Sequence, residues 1–503
     1  MVKHSQLVTY LFIGLFFLIK TSVLATDLHA KTTPVIPNEP DYLNTAIFPV
    51  GPHSPVSTNK RRGRRALAQP SALLDIETGL EFRVGQAIFE KIWVFAPSST
   101  TASDGLGPLY NARACSQCHI NSARGLAYNE EKFATNTPLS PSPALIIRLL
   151  GSNGHHNGDP VYGAQIQTFA YPGGAAEAEI SVRYEALAKK FTDGEVVSLY
   201  KPSYIIENLR YGELDEQTTF SPRLAPALAG SSFLETIPER SILEKADPND
   251  TNKDGISGKV SWINSDSNTP MVGRFGWKAE QISLRTQNLV ALNNDIGISS
   301  SLFPNHAGDC TPAQQECVHQ PHGAVKTLHD GFEASETMSN LLDLYVSYLS
   351  IPKRTVDAGE ERKGFKLFKQ LNCDDCHTPS YAVNDSKTKL NALNNEPDAK
   401  PTYRIWPFTD LLLHDMGPAL ADQTFANKTS DAKQAREWRT PPLWGLGLHK
   451  KTSGAMHLLH DGRARSISEA ILWHGGEAKT SQQAFMSLEK PERQALIDYL
   501  ETL

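Results

Sequence analysis

Past its first 25 residues, this 503-residue sequence has no apolar run long enough to cross a bilayer. It also lacks a strong charge of either sign. The 49 Lys and Arg set against 55 Asp and Glu leave a formal charge of −6, which gives no footprint for nucleic acid or an anionic membrane surface. Low-complexity composition is missing as well: 40% hydrophobic and 21% charged residues describe a globular chain, neither disordered nor membrane-embedded. Cysteine is scarce. Four of the six fall in two short motifs, so Cys310 and Cys317 are the one pair left for a disulfide, and no spare thiol remains for redox chemistry.

What is present begins with an export signal. Lys3 and His4 supply a positive start, residues 7–18 form an apolar stretch, and Val23 and Ala25 are the small residues a signal peptidase needs. Lys20 makes that stretch short for a membrane span of roughly 20 residues. Residues 1–25 are therefore expected to be a signal peptide, with a retained anchor as the alternative, and the mature protein to be periplasmic without a stable membrane span. Residues 26–71, rich in Pro, Thr and Asn and then basic over 60–65, are expected to be an arm or linker.

The length implies roughly two or three domains, and the chain repeats one order of elements. Phe82, Gly85, Ile88, Phe89 and Ile92 recur at helical spacing ahead of Cys115-Ser116-Gln117-Cys118-His119, and Leu341, Leu344, Tyr345, Tyr348 and Leu349 give a later helix stopped by Pro352. A helix carrying Phe365 and Phe368 then leads into Cys373-Asp374-Asp375-Cys376-His377, and Leu496, Ile497 and Leu500 mark the last helix. The expected fold is mainly α, with two cytochrome c-like domains over 72–352 and 353–503. The first is too long for a minimal domain, so an insertion with some strand content is expected over roughly 130–330.

C-x-x-C-H offers two thiols spaced to reach the two vinyl groups of one haem, with an imidazole next to them for the iron. A zinc site would have to bring the two distant pairs together and would leave both histidines without a role. A redox C-x-x-C is disfavoured by export and by the duplication. Two covalently bound c-type haems are expected, on Cys115 and Cys118 and on Cys373 and Cys376, with His119 and His377 as proximal ligands. The far side of each iron then decides between peroxide chemistry and electron relay.

Gly107-Pro108-Leu109-Tyr110-Asn111-Ala112-Arg113, Leu411-Leu412-Leu413-His414-Asp415-Met416-Gly417-Pro418, Arg439-Thr440-Pro441-Pro442-Leu443-Trp444 and His460-Asp461-Gly462-Arg463-Ala464 resemble the bacterial di-haem oxidoreductase family over roughly 75–503. Its members are labelled peroxidases or thiol oxidoreductases, within the superfamily of di-haem cytochrome c peroxidases and the enzyme that matures methylamine dehydrogenase. The resemblance implies that His474 is the far ligand of the second haem. The local pattern agrees: Ser466-x-x-Glu469 reads as a capping box, Gly475-Gly476 ends the helix, and Ile467, Ala470, Ile471 and His474 share a face. Superfamily peroxidases usually place Met there and the methylamine-related enzyme Tyr, so this chain departs from both, and a bis-His site has a lower potential than His/Met. Met416 and Met456 are the rival ligands.

The resemblance further implies Trp277 as an aromatic between the haems, Gln287 as a polar residue of the first pocket, and Asp295 near the position of the catalytic Glu, after a two-residue shortening of the loop. Splitting O–O heterolytically moves a proton between peroxide oxygens, which a positioned carboxylate can do. Asp250-x-Asn252-x-Asp254-Gly255, with Asp247 nearby, reads as a calcium loop, but Ser261 stands where a twelfth-position Glu is usual. Arg124, Arg439, Arg463 and Arg465 could neutralise propionates. Together these point to a peroxidase-type oxidoreductase that reduces hydrogen peroxide at the first haem. Electrons would arrive through the second from a small periplasmic donor (a cytochrome c or a cupredoxin) or from a protein substrate. A di-haem electron carrier without peroxidase activity is the alternative.

Overall fold

The computed structural model describes residues 63–72, 74–151, 158–264, 269–325, 330–354, 358–383, 403–424 and 432–503. The signal segment and most of the arm lie outside them. Among the described residues no helix is long and apolar enough to cross a membrane. Packed structure begins ahead of Ala72, where the composition gave no sign of it. Ala66, Leu67 and Ala68 are buried in a short 3-10 turn, and Ser71 N–H donates to the Tyr348 carbonyl.

Among the described residues there are seven helices of at least seven residues: α1 Ile76–Glu90, α2 Leu284–Ile296, α3 Glu336–Ser347, α4 Ala358–Gln370, α5 Ile467–Trp473, α6 Lys479–Ser487 and α7 Lys490–Thr502. Their starts are set by side-chain caps. Asp75, Ser283, Ser335 and Ser466 each accept the N–H three residues on, which satisfies one of the first-turn donors that a helix leaves unpaired. Glu489 and Glu492 form a reciprocal capping box on α7. At α5 the expected box is half made: Ser466 accepts from Glu469 N–H, but the Glu469 carboxylate turns back to Arg465 N–H. α1 ends at Glu90, so Ile92 falls beyond it and is 48% exposed.

The repeated order is visible as one packing device used twice. α1 lies on α3, and a Cβ at Gly85 would stand 2.1 Å from the Leu341 carbonyl oxygen and 2.8 Å from Tyr345 Cβ. α4 lies on α7, and a Cβ at Gly364 would stand 2.1 Å from Tyr499 Cβ. In both pairs a glycine lets two helices touch at their backbones. Four residues later a phenylalanine (Phe89, Phe368) packs on the same tyrosine at 5.1 and 6.0 Å and on the motif histidine at 6.3 and 6.4 Å.

Strands occupy the insertion, as its β-branched runs suggested, and short ones follow the second motif. β1 Leu145–Leu150, β2 Glu179–Lys190, β3 Val196–Glu207, β4 Thr219–Leu224, β5 Leu413–Asp415, β6 Gln423–Thr424 and β7 Glu437–Arg439 are the main ones. β4 is buried at every residue because it is the middle strand of a β6-β4-β1 sheet. β2 and β3 form a twelve-pair hairpin from Glu179↔Glu207 to Lys190↔Val196.

The two halves interleave. β6 belongs to the second half yet pairs with β4 of the first, and β5 is bridged to Lys259. The far end of the β2–β3 hairpin inserts Phe191 and Leu199 into the core made by α4, α5 and α7. There Arg493 covers the Phe191 ring at 4.1 Å and holds Asp193 and Glu195 at 2.8 and 2.6 Å. Gly364→Ala forces a methyl into the α4–α7 contact, so it should cost about 1–3 kcal/mol of stability, read as a lower urea midpoint at unchanged slope.

Candidate haem sites

The first motif opens onto about 480 Å³ of space, partly open to solvent and walled by Phe89, Leu228, Ile296, Leu342 and Val346, with Cys115, Cys118 and His119 on its face. His119 Nδ1–H donates to the Pro226 carbonyl at 2.8 Å. Burial depresses the imidazole to about 4, so it is neutral and its Nε2 is a free lone pair. Neither thiol of the pair is in a disulfide. Burial pushes Cys115 up to about 12 and Cys118 well above its ordinary value, with Asp295 adding to both. A redox C-x-x-C needs a lowered thiol pKa, and this is the reverse.

The second motif faces a larger cavity, about 1470 Å³ of space that is partly open to solvent. His377 Nδ1–H donates to the Phe408 carbonyl at 2.9 Å, and burial again depresses the ring to about 4. His474, just past the end of α5, donates its Nδ1–H to the Ala470 carbonyl at 2.7 Å. It is held below its ordinary value by burial and lies close enough to His377 to lower that group further. Ile467, Ala470, Ile471 and His474, the four residues assigned to one helical face, all line this cavity. Met416 lines it too, whereas Met456 packs against the neighbouring core. The two cysteine pairs open onto separate cavities, so the four thiols share no single zinc site.

The walls suit a haem. Two thiols and a free imidazole Nε2 recur in each cavity. The second also presents buried donors with no protein partner, Arg124 Nε and His449 Nδ1, where a porphyrin would bring carboxylates. Of the four arginines named as propionate partners, Arg124 and Arg439 line this cavity. Arg463 is instead consumed by Asp461 (2.7 Å) and the Ala419 carbonyl (2.6 Å), and Arg465 by Glu469. His460-Asp461-Gly462-Arg463 is thus a buried clasp, with His460 stacked on Trp438 at 3.7 Å and Tyr204 O–H reaching Asp461 from β3.

Other expected residues divide. Asp295 lines the first cavity; burial raises its carboxyl against the pull of Arg148 and of a Gln165 Nε2–H bond of 2.9 Å. Gln287 is not among the described residues lining that cavity, because α2 presents Asn288, Ala291 and Asp295 there. One residue is a 100° rotation on a helix, and Gln287 lies toward Gly276 instead. Trp277 stands in the wall of the second cavity, with its Nε1–H on the Leu224 carbonyl at 2.8 Å and Arg124 over its ring at 4.9 Å. The Asp250, Asn252 and Asp254 side chains lie together on one turn, accepting from Gly255, Asp254 and Ile256 N–H respectively.

Sequence reasoning missed His414. It is 3% exposed, with Nε2 at 2.8 Å from Asp410 and Nδ1 at 2.8 Å from Glu477, and its Nδ1 lies 3.6 Å from Cys376 Sγ. Burial works against its charge, but Asp410, with Cys376 beside it, prevails and holds its proton well above the ordinary histidine range. The signal was the motif residue itself, with Asp410 four residues before it and Glu477 far along the chain.

A family model described as "Di-haem oxidoreductase, putative peroxidase" matches residues 149–503, a span that starts after the first cysteine motif. No curated protein matches. A solved chain of Kuenenia stuttgartiensis hydrazine synthase, pressurised with xenon, is 14% identical and aligns over 59% of this chain and 99% of that one. Its TM-score of 0.21 is too low to bear on the fold.

The His414 triad has a pH window. His414's raised value means its contribution is full below pH ~6.5 and fades as pH rises through its folded value; Glu477, held at about 2 despite burial by bonds to His414 and Ser257, contributes above its ordinary value and fades as pH falls toward 2. His414→Leu strands two buried carboxylates. It should lose about 3–5 kcal/mol at pH 6, measured by denaturant unfolding, with a smaller loss near pH 2–3.

Proposed function

The chain belongs to the di-haem oxidoreductase family, and from that premise we propose that it is an exported peroxidase-type enzyme that reduces hydrogen peroxide. One haem would be bonded to Cys115 and Cys118 and ligated by His119. The other would be bonded to Cys373 and Cys376 and ligated by His377 and His474. The observation that carries this reading is the difference between the cavities. The second holds His377 and His474, two neutral imidazoles each tied by Nδ1 to a backbone carbonyl, whereas the first pairs its single imidazole with a buried carboxyl, Asp295. An iron with two strong ligands suits electron relay, and one with an open far side suits peroxide.

When bound, the haems supply electron storage and the iron at which peroxide is split. Peroxide takes two electrons and two protons to give two waters, and the chain's own groups manage the protons. Asp295 is raised by burial and held by Gln165, so it gives and takes a proton more readily near neutral pH than an exposed carboxyl. His119 and His377 are each fixed in one tautomer by a backbone carbonyl, which aims Nε2 into the cavity. Between the sites, His119 bonds to the Pro226 carbonyl and Trp277 to the Leu224 carbonyl. Two residues of backbone therefore join the first imidazole to an indole in the wall of the second cavity.

Export is supported by the N-terminal pattern and by the disulfide between Cys310 and Cys317, which persists in an oxidising compartment. The electron donor would be a small periplasmic cytochrome c or cupredoxin, or an oxidisable residue of a protein substrate. The turn at Asp250, Asn252 and Asp254 stands as the candidate calcium loop of this reading.

Protein made in a host that attaches c-type haem should show one high-spin and one low-spin haem and oxidise a reduced cytochrome on addition of peroxide. Asp295→Asn should lower kcat by about 10²–10⁴-fold with the low-spin signal intact. His474→Ala should convert the second haem to high spin. Two low-spin haems inert to peroxide would leave the electron-carrier reading, and an unchanged low-spin signal in His474→Ala would remove that ligand.

A further inference from the structure

Outside both cavities, His306, His322 and Glu333 bring one ligand atom each to within 4.8 Å of one another, the one group of three or more metal-ligating His, Cys, Asp or Glu residues among the described residues. Glu333 is 1% exposed and rigidly held. One of its carboxylate oxygens accepts from Ser299 N–H and Ser299 O–H, the other from Gly323 N–H. Its stem lies on Gly105, where a Cβ would come 2.2 Å from Glu333 Cγ. His306 Nδ1 stands 3.2 Å from the carboxylate. Two ligands on one tetrahedral zinc, at bond lengths near 2.0–2.1 Å, are about 3.3 Å apart. The His322 ring stacks on that of His306 at 4.3 Å and 15°, and it is exposed and so free to turn.

We propose that these three side chains bind one first-row divalent cation of the zinc class. A simple His306–Glu333 ion pair would explain two of the residues and leave His322 stacked there without a reason. Two imidazoles and one carboxylate are the borderline donor set that favours zinc, copper or nickel over calcium and magnesium, which prefer all-oxygen cages. Three protein ligands on a partly exposed site leave a coordination position for water. The disulfide between Cys310 and Cys317 lies between the two histidines in the chain and shortens the loop that joins them.

The cation would clamp the shoulder of α2. Ser299, which bonds Glu333, follows Asp295 by four residues, and Ala334 N–H donates to the Ser299 carbonyl. A bound ion would thus stiffen the turn behind the first cavity without entering it. The inference rests on these residues alone and stands or falls apart from the peroxidase reading.

The test uses the haem-loaded full-length protein, dialysed against chelator and then titrated with zinc chloride by calorimetry, with elemental analysis of the product. One zinc per chain is expected, together with a higher melting temperature in excess zinc. His322→Ala changes an exposed residue and should leave the fold intact while weakening binding by at least about 100-fold and abolishing the thermal shift. His306→Ala should do the same, and His319→Ala, at an exposed histidine outside the cluster, should do neither. Absence of stoichiometric zinc, equal binding of calcium, or zinc binding unchanged in His322→Ala would each overturn the proposal.

Discussion

The constraint on which the rest of the structure depends is a buried imidazole tied by Nδ1 to a backbone carbonyl. It occurs at His119 with Pro226, at His377 with Phe408 and at His474 with Ala470. Each bond fixes a tautomer and leaves Nε2 as an acceptor inside an apolar wall. An acceptor so placed is available to a ligand that enters the cavity. The helices, loops and inserted strands are arranged so that these three carbonyls lie where they do. Pro226 follows β4, Phe408 sits in the loop below the second motif, and Ala470 is on α5 itself.

That arrangement explains why the halves interleave rather than sit side by side. β4 ends at Leu224, whose carbonyl holds Trp277 and whose N–H donates to the His460 carbonyl of the second half. Two residues later the chain supplies the carbonyl for His119. A strand buried at every position, with a strand of each half on either side, cannot shift without disturbing both motifs. The spacing between the two candidate centres is thereby set by one short stretch of backbone, which is the kind of rigidity that electron transfer between fixed sites requires.

Much of this was legible because it was local. The motifs, the α1, α3, α4 and α7 helices, and the cavity-facing side of α5 all follow from residues within a turn or two of one another, where helical periodicity carries the information. What escaped reading depends on which partners a side chain takes once the chain is folded. His414 looked like a family marker, and only folding brings Asp410 and Glu477 to its two nitrogens. Arg463 looked available for a propionate until Asp461 and Ala419 were seen to use it. Gln287 and Asn288 differ by one residue, too fine a distinction for an inference carried over from a family with a loop of different length. His306, His322 and Glu333 have no spacing signature, because a glycine contact and a disulfide loop bring them together.

The two cavities also differ in how they treat charge, and this bears on their division of labour. The first is nearly all apolar, with Asp295 as its acid, so a proton on that carboxyl is favoured by its surroundings. The second is lined by Arg124 and Arg439, while the proton on His414, beside Cys376, is balanced by Asp410 and Glu477. Fixed positive charge near a redox centre stabilises its reduced form, whereas a second neutral imidazole in place of a thioether stabilises the oxidised one. The two effects oppose each other at one site. On the proposed reading, a bis-His iron there would sit at a higher potential than its ligands alone would give, and the acid chemistry would stay in the other cavity.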